Sequence, residues 1–100
     1  MIEVEVSFFA WQDKVLGKKM PGPAVLPEKI KEDTTFAGLL RHLLRKYPAL
    51  VGTLVDPVAG QLYEYVVVTI NGRFLDLVGG PDVRLQAGDR IQFLPFMAGG

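Results

Sequence analysis

The chain ends Leu94–Pro95–Phe96–Met97–Ala98–Gly99–Gly100, and its last three residues carry nothing larger than a methyl group. A carboxylate on such a stem is narrow enough to enter a tunnel in another protein. Its carbonyl carbon is unhindered, so attack on an activated acyl group is easy. The same tail cannot anchor itself, because ordering glycine costs maximal backbone entropy. For an arbitrary protein, a frayed terminus or an expression scar is the simpler explanation of such an ending.

The usual catalytic constellations are poorly supplied. His42 is the single histidine. It falls on the polar side of a helical stripe between Arg41 and Arg45, where a solvated surface role is expected over that of a general base. Cysteine is absent, which removes disulfides, thiolate metal sites and a Cys nucleophile. Ser7, the sole serine, lies mid-strand, and a triad with His42 has no support. Gly79–Gly80 runs into Pro81 rather than into a lysine and a helix start, so it reads as a turn and not as a phosphate loop. Asp82 and Asp89 read as turn residues rather than metal ligands.

Eleven basic residues balance eleven acidic ones in 100 residues. Nothing in that balance argues for nucleic acid or an anionic membrane as the main partner, and neither is expected. No signal peptide and no apolar run of about 18 residues are visible, so the expected location is the cytoplasm.

The elements that must carry the tail follow from periodicity. Ile2, Val4, Val6 and Phe8 alternate with Glu3, Glu5 and Ser7, the signature of a half-buried strand. Trp11, Val15 and Leu16 followed by Gly17 predict a short helix. Residues 18–23 form a Pro- and Gly-rich loop. Residues 24–31 are expected as a second strand, at a sheet edge because Pro27 donates nothing to a ladder. Phe36, Leu39, Leu40, Leu43, Leu44 and Tyr47 make one apolar stripe of a longer helix, capped by Thr35 and stopped by Pro48. Arg45 and Lys46 suit the negative end of its dipole.

Residues 49–60 read as a packed loop, and residues 62–70 as a central strand. Asn71–Gly72 signals a hairpin. Val83 and Leu85 suggest a short strand. After the turn Ala87–Gly88–Asp89, residues 90–94 form the last strand, with Ile91 and Phe93 on one side and Gln92 and Leu94 on the other. One long helix laid across a mixed sheet is an α+β arrangement.

Taken in order, these pieces resemble the MoaD/ThiS family of ubiquitin-like sulfur carriers. Phe8–Ala10 with Leu16–Gly17 is similar to that family's first strand and short helix. Thr35–Leu40 and Tyr47–Leu50 are similar to the start and exit of its main helix. Val68–Gly72 resembles its Val-x-Val-Asn-Gly hairpin, Leu85–Ile91 its Leu-x-x-Gly-Asp step, and Leu94–Gly100 its Pro-Pro-Val-Ala/Ser-Gly-Gly ending. Phe96 and Met97 depart from that last pattern, standing where many members have a second proline and an aliphatic residue.

The resemblance implies a ubiquitin-like β-grasp fold: a mixed sheet packed on one main helix plus a short helix, over residues 1–96, with residues 97–100 as a functional tail. It implies that Gly100 is adenylated at its carboxylate and converted to a thiocarboxylate, with Gly99 and Ala98 giving access. The chain would then be a carrier and co-substrate rather than an enzyme, with no bound cofactor; the ATP is consumed by the activating enzyme. The implied partners are a ubiquitin-activating-type adenylating enzyme of the MoeB/ThiF kind, a persulfide sulfur donor and, in the MoaD branch, the MoaE-like large subunit of molybdopterin synthase. Carriers for tRNA thiolation, thiazole or cysteine synthesis, protein modifiers, and a β-grasp binding module with an incidental tail are the alternatives. Leu94, Phe96 and Met97 are expected to form a partner-docking patch.

Overall fold

The computed structural model describes residues 1–96. A single sheet is built from β1 (Ile2–Ser7), β2 (Leu26–Ile30), β3 (Val66–Ile70), β4 (Arg73–Phe74) and β5 (Arg90–Pro95), in the order β2-β1-β5-β3-β4. β1 and β5 are parallel, and every other pair is antiparallel. Two helices complete the fold, α1 (Gln12–Leu16) and α2 (Phe36–Lys46). This is the β-grasp arrangement that the sequence resemblance implies.

The apolar stripe of α2 explains its placement. Phe36, Leu39 and Leu43 are buried against the inward residues of the sheet, Val4, Val6, Val68, Ile70, Ile91 and Phe93. Phe8 continues the β1 alternation into this core, stacking on Phe93 at 5.4 Å and meeting the Tyr47 ring edge-on at 5.8 Å. Thr35 caps α2, its hydroxyl accepting from the Gly38 amide at 3.1 Å. Gly17 ends α1 at φ +73°, a left-handed backbone that glycine adopts without strain.

β2 lies at the edge, as Pro27 predicts. The Glu3 carbonyl accepts from Gly88 and the Glu5 amide donates to Asp89, so odd residues of β1 turn their backbone groups toward β5. Even residues face β2. Pro27 sits opposite Glu5, where no ladder N–H is needed.

Three expected strands are shorter or absent. The second starts at Leu26 instead of Ala24, because the Ala24 amide is taken by Gln12 Oε1 at 2.7 Å while Gln12 Nε2 donates to the Gly22 carbonyl. The third starts at Val66 instead of Leu62. Leu62 bridges Val55, the Tyr63 amide bonds to Leu54, and the Val66 amide turns back to Tyr63. Val83 to Leu85 forms no strand. It is extended chain at the start of α2, with the Phe36 amide donating to Val83 and the Leu85 amide donating to Thr34.

Candidate functional site at the end of β5

β5 is a central strand, and residues 90, 92 and 94 face away from α2 while Ile91 and Phe93 are buried. The ladder to β3 continues one residue beyond the strand: the Phe96 amide donates to the Tyr65 carbonyl at 2.7 Å. That register places Phe96 beside Tyr65, and Leu94 beside Val67, on the open face of the sheet. Pro95 is tolerated because its missing N–H points toward the β1 side, where β1 has already given way to the 3-10 stretch Phe9–Trp11.

The open face is graded. At its far end Glu5 and Arg90 form an exposed ion pair at 3.1 Å. At the end nearer the C-terminus it is apolar. Phe96 is 62% exposed, Tyr65 and Phe9 are also exposed, and Leu94 and Val67 are half-buried. The last β1–β5 pair is Ser7 opposite Gln92, and the 3-10 stretch that begins at Phe9 follows it beside the end of β5. Phe9 is held at φ +38°, a backbone conformation that bulky residues rarely adopt.

Trp11 lies 6.4 Å from Tyr65, and Tyr63 stacks on Tyr65 at 5.1 Å. Burial, helped by the charges of Asp56 and Tyr65, pushes the Tyr63 phenol above its ordinary pKa, so its hydroxyl stays uncharged through the neutral range.

Of the residues singled out in sequence, Leu94 and Phe96 share this face. Met97, Ala98, Gly99 and Gly100 lie outside the described residues. Tyr65, Val67 and Phe9 are additions. Tyr65 and Val67 alternate with Val66 and Val68 and so carry a period-two signal; Phe9 carries none, because the turn after β1 decides where it points.

His42 is not a solvated surface residue. Its Nε2 lies 2.9 Å from Glu28 Oε1, and Glu28 is 2% exposed. The partner lies 14 positions earlier. The missed signal is alternation: Glu28 falls between Leu26 and Ile30 on the inward face of β2.

The model of the ThiS family matches residues 6–100. The chain belongs to this family of small ubiquitin-like sulfur carriers. It is 31% identical to the small archaeal modifier protein 3 of Haloferax volcanii over 99 residues, covering 99% of this chain and all of that one. The solution structure of small archaeal modifier protein 1 from Methanosarcina acetivorans is 26% identical with a TM-score of 0.72, covering all of this chain and 98% of that one. The crystal structure of the Haloferax volcanii modifier protein 1 has a TM-score of 0.76 at 23% identity, over 97% of this chain and all of that one, and shows the shared fold. Among the described residues of this family member, no helix is long and apolar enough to cross a membrane.

Proposed function

We propose that Gly100 is the reacting residue of this carrier. A carboxylate is a poor electrophile until one oxygen becomes part of a good leaving group. Attack of the Gly100 carboxylate on the α-phosphate of ATP, in an adenylating enzyme of the MoeB/ThiF kind, expels pyrophosphate and leaves an acyl-adenylate. The terminal sulfur of a persulfide donor then displaces AMP to give an acyl disulfide. A second thiol attacks the donor's own sulfur, which releases the thiocarboxylate and leaves the donor sulfur in a disulfide with that thiol. Gly99 and Ala98 keep the approach open, and the chain itself holds no cofactor.

The observation that supports this reading is the exposed Phe96 at the apolar end of β5, directly before the small-residue ending. Four residues separate Phe96 from the Gly100 end, a reach of at most about 14 Å when extended. An enzyme acting on Gly100 must therefore press against the surface around Phe96, Leu94, Tyr65 and Phe9. With Met97, these residues form the docking patch.

The proposed sulfur acceptor is the pterin precursor bound by the MoaE-like large subunit of molybdopterin synthase, as in the MoaD branch that the sequence resembles. A second reading is favoured by the relatives named as modifier proteins: the activated Gly100 is joined to lysine amines of other proteins.

Intact mass after incubation with an activating enzyme, ATP and a sulfur donor tests the shared step. The expected gain equals replacement of one oxygen by sulfur, and is lost when Gly100 is deleted. No gain with an enzyme active on another carrier would remove the thiocarboxylate reading. Lysine-linked adducts recovered from cells would establish the modifier role.

A further inference from the structure

Glu28 is the single carboxylate residue buried among those described. Its Oε1 contacts His42 Nε2 at 2.9 Å and accepts from Lys46 Nζ at 3.1 Å. Its Oε2 accepts from Lys46 Nζ at 2.9 Å and from the Tyr47 hydroxyl at 3.1 Å. His42 and Lys46, one turn apart, and Tyr47 at the C-cap all lie at the end of α2, so a single side chain of β2 is gripped by the last turn of the helix and its cap.

Apart from this grip, β2 is held by its ladder to β1 and by Ile30 and Leu26, which pack into the core. Among the described residues its only neighbour in the sheet is β1, and it is preceded by a loop containing Gly17, Pro21, Gly22 and Pro23. β1 is bonded to β5 on its other side, and β5 in turn to β3. Removing β2 leaves four paired strands, β1, β5, β3 and β4, and the helix stripe in contact.

We propose that Glu28 is the latch of this edge strand: its ionised carboxylate holds β2 against α2, and loss of that charge lets β2 open as a unit while β1, β5 and β3 stay paired. Opening bares the backbone groups of Ile2, Val4 and Val6, a sheet edge able to accept another strand.

The electrostatics set when the latch is closed. Burial pushes the Glu28 carboxyl up, but the hydrogen bonds from Lys46, His42 and Tyr47 and the Lys46 charge outweigh it, and hold the group below its ordinary value. The same contact pushes Lys46 up. From α2 and its end, the groups facing the carboxylate are His42, Lys46 and Tyr47; from β1 it faces the apolar Val4. The latch is therefore shut at neutral pH and opens only as pH falls below the usual carboxylate range.

Native-state hydrogen exchange of the full chain at neutral pH tests this, with wild type, Glu28→Gln and Lys46→Met. The amides of Val4, Val6 and Ile30 are expected to exchange about tenfold faster in Glu28→Gln, with a smaller change of the same sign in Lys46→Met. Val67, Thr69, Gln92 and Leu94 keep their protection. Equal acceleration in both sets would make Glu28 a support of the whole fold and overturn the proposal. Unchanged exchange at Val4, Val6 and Ile30 would also overturn it. Should Glu28→Gln fail to fold, Lys46→Met and acidified wild type decide by the same comparison.

Discussion

The Phe96 amide is hydrogen-bonded to the Tyr65 carbonyl at 2.7 Å, one residue after the last strand ends. Pro95 alone suggests that the sheet lets go of the chain there. The added bond instead fixes Phe96 on the open face beside Tyr65, turning the residue before the small-residue ending into part of a surface.

That placement makes Phe96 separable from the fold. Its side chain is largely in water, so Phe96→Ser is expected to change stability by no more than about 0.5 kcal/mol. Docking of the activating enzyme should weaken about tenfold, or roughly 1.4 kcal/mol. Trp11, the only tryptophan and 6.4 Å from Tyr65, supplies the signal for a fluorescence titration. Unchanged affinity would take Phe96 out of the docking surface.

Asn71 joins two motifs that the sequence shows far apart. Its Nδ2 donates to Asp89 Oδ1 at 2.9 Å, and its Oδ1 accepts from the Arg90 amide at 2.9 Å, while Asp89 Oδ2 accepts from the Gln86 amide. Asn71 also stands at φ +54°. Asn71→Ala loses both bonds and the residue type that tolerates this backbone, and is expected to cost about 2 kcal/mol in urea unfolding. Asn71→Gly keeps the backbone freedom and should cost less. Equal loss in both would assign the effect to hydrogen bonding alone.

The hairpin and the Gly-Asp step were each legible as local turn chemistry. Their mutual bonding was not, because it spans 18 residues and depends on β3 and β5 being neighbours. The same division runs through the chain. The α2 stripe, its Thr35 cap, the β1 alternation and the edge position of Pro27 are written in local spacing, and all four stand. Ala24 and Leu62 look like strand residues by composition, yet Gln12 and Val55 compete for the surrounding chain from elsewhere in the fold. At the candidate site, Leu94 and Phe96 were visible through period two. The contact that makes His42 a structural residue was hidden, since Glu28 is remote in sequence.

The Glu28 contacts give a signed pH dependence. A carboxylate whose pKa is lower in the folded chain than in the unfolded one stabilises the fold above the unfolded value, and that contribution disappears as pH falls through the folded value. Wild type should therefore lose stability in acid, below the usual carboxylate range. Glu28→Gln should be less stable at neutral pH by about 1–3 kcal/mol and show a shallower acid limb. Urea unfolding across that range checks both. Parallel acid limbs for the two proteins would mean that other carboxylates account for the acid sensitivity.

The tail gives the sharpest separation between chemistry and fold. If the Gly100 carbonyl reaches the nucleotide through a narrow passage, a β-branched side chain at position 99 obstructs it. Gly99→Val is expected to slow thiocarboxylate formation at least tenfold, equivalent to about 1.4 kcal/mol in the barrier, with thermal unfolding unchanged. Ala98→Gly, which only removes bulk, should react at the wild-type rate or close to it. An intact-mass time course for the two variants and wild type distinguishes the cases. A Gly99→Val chain that gains sulfur as fast as wild type would show that small size at this position is not what the activating enzyme requires, and would move the reason for the Gly-Gly ending from access to the flexibility of its backbone.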